Sequence, residues 1–206
     1  MLGAAAMSVA MSSRSFAAIC AAVLLAVSGG VAATTARATS SVQARSSCGA
    51  AARNLKIYSL RTAGFRIGIP RSWNARWDHA GGDVLLAYTC ELRYGRQSTL
   101  RASSWDVEHL DDWKFSDFER EAIREMELGA VVSRAPRIRA FSGSIGHAVR
   151  IHAVLHAPGD PVKYSRTTYM IRTRTTVYFV MYTTLVQLAP RYARLFDASA
   201  RSLREF

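Results

Sequence analysis

Between His147 and His156 the apolar positions recur every second residue. Val149, Ile151, Ala153 and Leu155 share one face, and Arg150, His152 and His156 share the other. A period of two marks a half-buried strand. Phe65, Ile67 and Ile69 alternate with Arg66 and Gly68 in the same way, and Pro70 ends that strand because it cannot donate to a ladder. Leu55–Leu60 precedes it across Thr62-Ala63-Gly64, which predicts a hairpin. Trp73 is expected to fold back onto the core. Two more strands are predicted over Val84–Cys90, after an Ala80-Gly81-Gly82 turn, and over Thr99–Trp105. Pro158-Gly159-Asp160-Pro161 is an emphatic turn leading into a strand over Val162–Arg172. Thr173-Arg174-Thr175 then turns into Val177–Thr183. This last run, VYFVMYT, is apolar on both faces, the pattern of a central strand covered from both sides.

Two segments change period. Ser116-Asp117-Phe118-Glu119 has the form of a capping box, and Phe118, Ala122 and Met126 continue it as a buried stripe with Phe115. Glu121, Arg124 and Glu125 face away, and Gly129 fits a C-cap. A second helix opens near Pro190. Its apolar stripe is Leu188, Tyr192, Leu195, Phe196, Ser199 and Leu203, with Arg191, Arg194, Arg201 and Arg204 on the opposite face. A hairpin, two strands, a helix, an antiparallel meander and a closing helix give an α+β domain, an antiparallel sheet flanked by helices.

The first residues read as an address. Phe16–Val27 is an uncharged apolar block behind Arg14, and Ala36-Arg37-Ala38 has the A-x-A form of a cleavage site. Residues 1–38 are therefore expected to be a signal peptide and residues 39–53 a flexible tail. The domain proper is residues 54–206. Met1, Met7 and Met11 are all possible starts, and Met11 leaves the tidiest leader. The apolar block is shorter than the roughly 20 residues needed to span a bilayer. Of three cysteines, Cys20 leaves with the leader, and the remaining pair, Cys48 and Cys90, reads as a disulfide in an oxidising compartment. Neither has a C-x-x-C partner, so zinc and dithiol chemistry have no support.

Charge divides the chain. The net charge is +12, yet nine of the 15 acidic residues fall between Asp106 and Glu127. Most of that cluster reads as a solvated helix face. The basic remainder favours association with anionic partners. No basic run is interleaved with regular aromatics, and nucleic acid is scarce outside the cytoplasm, so no nucleic-acid role is expected.

Catalytic patterns are weak. On a strand His152 and His156 lie about 13 Å apart and His147 faces the other way, too far for one zinc ion. Ser142-Gly143-Ser144-Ile145-Gly146 lacks the order and the following helix of a nucleophile elbow. Asp111-Asp112 and Glu119 with Glu121 are not placed across a cleft as glycosidases need. No phosphate loop or metal-protease pattern occurs, and no cofactor is expected.

Gly64–Trp73, GFRIGIPRSW, resembles the F-x-I-x-x-P-x-x-W opening of PsbP-like domains. Thr175–Leu203, TTVYFVMYTTLVQLAPRYARLFDASARSL, resembles their closing strand, loop and helix, in which Ser202-Leu203 stands at the usual terminal pair. The resemblance spans residues 54–206 and implies an α-β-α sandwich. That fold is shared by the extrinsic lumenal protein of photosystem II, exported bacterial proteins and a Ran-binding import factor. It implies scaffolding, assembly or protein binding and carries over no catalytic residue. The leading expectation is an exported, monomeric, non-catalytic binding or assembly module with a protein partner. The alternatives are an electrostatic binder of anionic surfaces or polymers, through Arg191, Arg194, Arg201 and Arg204, and a small secreted enzyme. The compartment expected is secreted or periplasmic. A thylakoid lumen is not supported, since neither a plant-type transit peptide nor a twin arginine precedes the apolar block.

Overall fold

The computed structural model describes residues 54–78, 84–93, 95–106, 113–127 and 130–206. The leader, the tail, Cys48, the Ala80-Gly81-Gly82 turn, Asp111-Asp112 and Gly129 lie outside the described residues.

β1 (Leu55–Leu60) and β2 (Phe65–Pro70) form the predicted antiparallel hairpin, with Leu60 opposite Phe65. They stand apart from the main sheet, in a small sheet of order β1-β2-β10 whose third member is the two-residue β10 (Arg204–Glu205). The main sheet contains β3 (Asn74–Asp78), β4 (Val84–Arg93), β5 (Arg96–Asp106), β6 (Val131–Ala140), β7 (His147–His156), β8 (Tyr164–Arg172) and β9 (Thr176–Leu185). Its order is β3-β4-β5-β9-β8-β7-β6, and every pairing is antiparallel. The doubly apolar VYFVMYT run is therefore the middle strand of seven.

Each face of that sheet carries a helix, so the fold is α+β. α1 (Phe115–Glu127) lies on one side, where Phe118, Ala122 and Met126 pack on Val149, Ile151, Ala153, Leu155, Met170 and Val177. Trp105 and Trp113 close around Phe118, with ring centroids at 6.3 and 5.1 Å. α2 (Ala189–Arg201) and the small sheet cover the other side, over Leu85, Leu100, Tyr169, Tyr178, Val180 and Tyr182. Burying each side chain of this size is worth roughly 1.5–3 kcal/mol. Trp73 does fold back, meeting Tyr192 and Phe196 edge-on at 6.1 and 6.4 Å.

α2 crosses β2 closely at Gly68. The Gly68 N–H donates to Ser202 Oγ at 2.7 Å, and Ser199 Oγ donates to the Gly68 carbonyl. A Cβ at Gly68 would stand 2.8 Å from Ser202 Oγ, so only glycine lets the helix sit this low.

Several expectations are corrected. β3 and β6 are strands that the hydrophobic pattern did not predict. α1 begins one residue before Ser116, and Asp117, not Glu119, reaches back: its Oδ2 accepts the Lys114 N–H at 2.8 Å. β8 begins at Tyr164, because the Val162 N–H is taken by Asp160 Oδ1 at 2.9 Å. Leu203 and Arg204 lie beyond the end of α2. Leu203 is buried and Arg204 belongs to β10.

Candidate functional site: an arginine-rich face

Alternation on β7 sends Val149, Ile151, Ala153 and Leu155 under α1, which leaves Arg150, His152 and Val154 on the α2 side. β6 is paired to that strand at the sheet edge. Its register sets Arg139 opposite Arg150, Arg137 opposite His152 and Arg134 opposite Val154. Residues directly opposite share a face, so Arg134, Arg137 and Arg139 join Arg150 and His152. All three β6 arginines are exposed.

α2 borders this group. Asp197 accepts from Arg150 Nη1 at 3.3 Å and from the Tyr169 hydroxyl. Arg194 and Arg201, three residues before and four after Asp197, lie on the same side of the helix. The Arg201 guanidinium stands 4.7 Å from the Phe141 ring, and its Nε donates to the Ser142 carbonyl at 3.0 Å. Arg191 is turned further around the helix, 5.8 Å from the Tyr192 ring. Arg204 donates to the Arg201 and Leu203 carbonyls at 2.7 and 2.6 Å, capping the helix end. Of the four arginines expected to form an anionic-partner face, Arg194 and Arg201 thus flank the strand cluster, and Arg191 and Arg204 stand apart from it. The β6 arginines were missed. The signal available for them was Arg134, Arg137 and Arg139 within six residues, and it became readable only with the strand pairing.

His152 sits within this cluster, its Nε2 3.0 Å from Ser165 Oγ. Its pKa is lowered from 6.5, first by burial and then by the charges of Arg150, Arg137 and Arg134. The unfolded chain therefore binds the proton more readily than the folded one. Stability is fully present above the unfolded pKa and declines as pH falls below about 6.5. The melting temperature should drop through that range, and His152→Gln should flatten the drop. An identical pH profile in the variant would contradict the assignment. Tyr169 is shifted upward, chiefly by burial and then by its hydrogen bond to Asp197, so it stays protonated at neutral pH.

The remaining candidates disperse. His147 packs edge-on to Phe115 at 4.5 Å, and His156 Nδ1 is 2.8 Å from Ser133 Oγ. Among the described residues no three His, Cys, Asp or Glu side chains gather as metal ligands, and no helix is long and apolar enough to cross a membrane. Ser142–Gly146 is the β6–β7 turn, and a strand rather than a helix follows it. Glu121 pairs with Arg124 on α1 at 3.6 Å.

The fold has known counterparts. The solution structure of cyanobacterial PsbP (CyanoP) from Synechocystis sp. PCC 6803 matches with a TM-score of 0.54 at 14% identity, covering 86% of this chain and 100% of that one. The chain has the PsbP-like fold. A Bacteroides thetaiotaomicron crystal structure matches with a TM-score of 0.45 at 16% identity, over 73% of this chain and 48% of that one. A Pseudomonas aeruginosa protein of unknown function matches with a TM-score of 0.46 at 16% identity, over 74% and 98%. No protein-family model and no curated protein matches the sequence.

Proposed function

We propose that this protein is an exported, non-catalytic binding module whose arginine-rich face receives an anionic protein partner. The observation that carries the reading is the convergence of Arg134, Arg137, Arg139 and Arg150 from the sheet with Arg194 and Arg201 from α2. Asp197, the carboxylate within that group, is already engaged by Arg150 and Tyr169. The PsbP-like fold supports binding over catalysis.

Binding of this kind depends on exposed charges, which salt screens within about 8 Å at physiological ionic strength and about 3 Å at 1 M. A photo-crosslinker at the exposed Ala193, beside Arg194, should capture a partner in the native compartment. Capture should be lost in high salt and in Arg137→Ser/Arg194→Ser. Arg201 is kept out of that set because its contacts with Phe141 and Ser142 tie it to the fold. Capture unchanged by both treatments would end the electrostatic reading.

Export carries its own expectation. N-terminal sequencing of the protein recovered outside the cytoplasm should begin at Thr39, directly after Ala36-Arg37-Ala38. An intact Met1 or Met11 terminus in the membrane fraction would overturn it.

A further inference from the structure

We propose that the strand-borne part of this face seats an extended acidic segment of a protein partner, with carboxylates at alternate residues. The inference rests on reading the face as an anion-binding surface, and it names what that surface binds. Its basis is a regularity that the sequence spacing conceals. Arg139 and Arg137 are two residues apart, whereas Arg137 and Arg134 are three apart, a separation that would turn Arg134 to the opposite face of a regular strand. The register shifts between Arg134 and Arg137, so Arg134 faces Val154 while Arg137 faces His152. One extra residue restores the parity, and the three arginines meet Arg150, His152 and Val154 in even steps. The result is a ladder of three rungs about 7 Å apart and two strands wide.

A ladder of that pitch matches an extended chain, whose side chains return to one face every second residue. Opposed charge disfavours the bare protein at two rungs: Arg139 lies directly across from Arg150, and Arg137 lies across from His152 and opposes its protonation. A row of carboxylates would relieve both pairs at once. Pro136 has no N–H to offer the sheet edge, so the segment lies across the face beside α2 rather than extending the sheet.

His152 supplies a readout specific to this site. The groups on its face of the sheet are Arg134, Arg137 and Arg139 on β6, Arg150 and His156 on β7, and Ser165, Thr167 and Tyr169 on β8, and Asp197 of α2, bonded to Arg150, lies between Arg194 and Arg201 along that helix. Carboxylates placed among these arginines offset the charges that disfavour imidazolium. Binding should therefore draw a proton onto His152, and affinity should rise as the pH falls toward and below 6.5.

The experiment uses the full chain with three probes: a peptide of alternating glutamate and serine, its isomer with the glutamates contiguous, and phosphatidylglycerol vesicles. The alternating peptide should bind roughly three-fold tighter than its isomer. Arg137→Ser/Arg139→Ser should weaken it roughly ten-fold, while Arg120→Ser/Arg124→Ser, on the exposed side of α1, should not. The His152 ring signals should titrate at higher pH in the complex. Equal binding of the two isomers, or equal loss in both double variants, would overturn the inference and leave the anion-binding reading standing. Binding to vesicles but to neither peptide would overturn it in favour of lipid headgroups. No binding to any probe would overturn both readings.

Discussion

Phe196→Ala is expected to destabilise the fold by about 3–5 kcal/mol. Phe196 is 3% exposed and is the centre of an aromatic stack, 4.2 Å from Tyr182 below it and 5.7 Å from Tyr192 beside it, with Trp73 edge-on. Truncation removes the ring that couples α2 to the main sheet, and the surrounding rings cannot collapse onto the gap without leaving their own rotamers. For a domain of this size the loss corresponds to a melting temperature lower by roughly 6–20 °C. Phe206→Ala, at a ring 64% exposed, should change stability by no more than about 0.5 kcal/mol. Thermal and urea unfolding of both variants checks the pair. A loss below about 1 kcal/mol for Phe196→Ala would mean that α2 does not pack as described. Because α2 also carries Arg194, Asp197 and Arg201, loosening it should weaken anion binding without touching a charge.

Gly146→Ala is expected to be nearly as severe, at about 3 kcal/mol, by a different mechanism. Gly146 has φ +80°, and a Cβ there would lie 2.3 Å from the Arg172 carbonyl oxygen, a backbone atom that cannot swing aside. This glycine closes the β6–β7 turn, which fixes the register of the arginine ladder. A slip of one residue would carry Arg137 and Arg139 to the opposite face. The variant should therefore lose stability and anion binding together, whereas Arg137→Ser/Arg139→Ser should lose only binding. Native-like melting of Gly146→Ala would show that the turn is looser than its geometry indicates.

The strands legible in the sequence were those whose two faces differ or are both plainly apolar. β7 showed strict alternation, and β9 showed apolar residues throughout because helices cover it on both sides. β3 and β6 were hidden for a shared reason. Both lie at edges of the main sheet, where one side of the strand has no neighbour and apolar alternation is not required. In β6 the pattern is further broken by register shifts on both sides of Arg134 and by Pro136. The N-terminal hairpin was readable, but its separation into a second sheet was not, since that depends on two residues at the other end of the chain. The site followed the same division. Arg194 and Arg201 could be placed on the polar face of a helix from periodicity alone. Arg137 and Arg139 could not, because their significance comes from pairing with β7, a contact that local pattern does not encode. Asp197 was invisible as a partner for the same reason: its link to Arg150 crosses 47 positions.

The closure of α2 onto Gly68 has a consequence for how the molecule is made. The bonds from Gly68 to Ser199 and Ser202 bridge separations of 131 and 134 residues, and the Phe206 N–H reaches back to the Gly64 carbonyl. A chain emerging N-terminus first presents β1 and β2 long before anything exists to cover them, and an isolated hairpin is marginal in water. The entropy of closing so long a loop must be overcome before those contacts form. The first hairpin and α2 therefore lock each other, and only once residues 199–206 have been made. Until then the nascent polypeptide remains an unsealed, threadable strand.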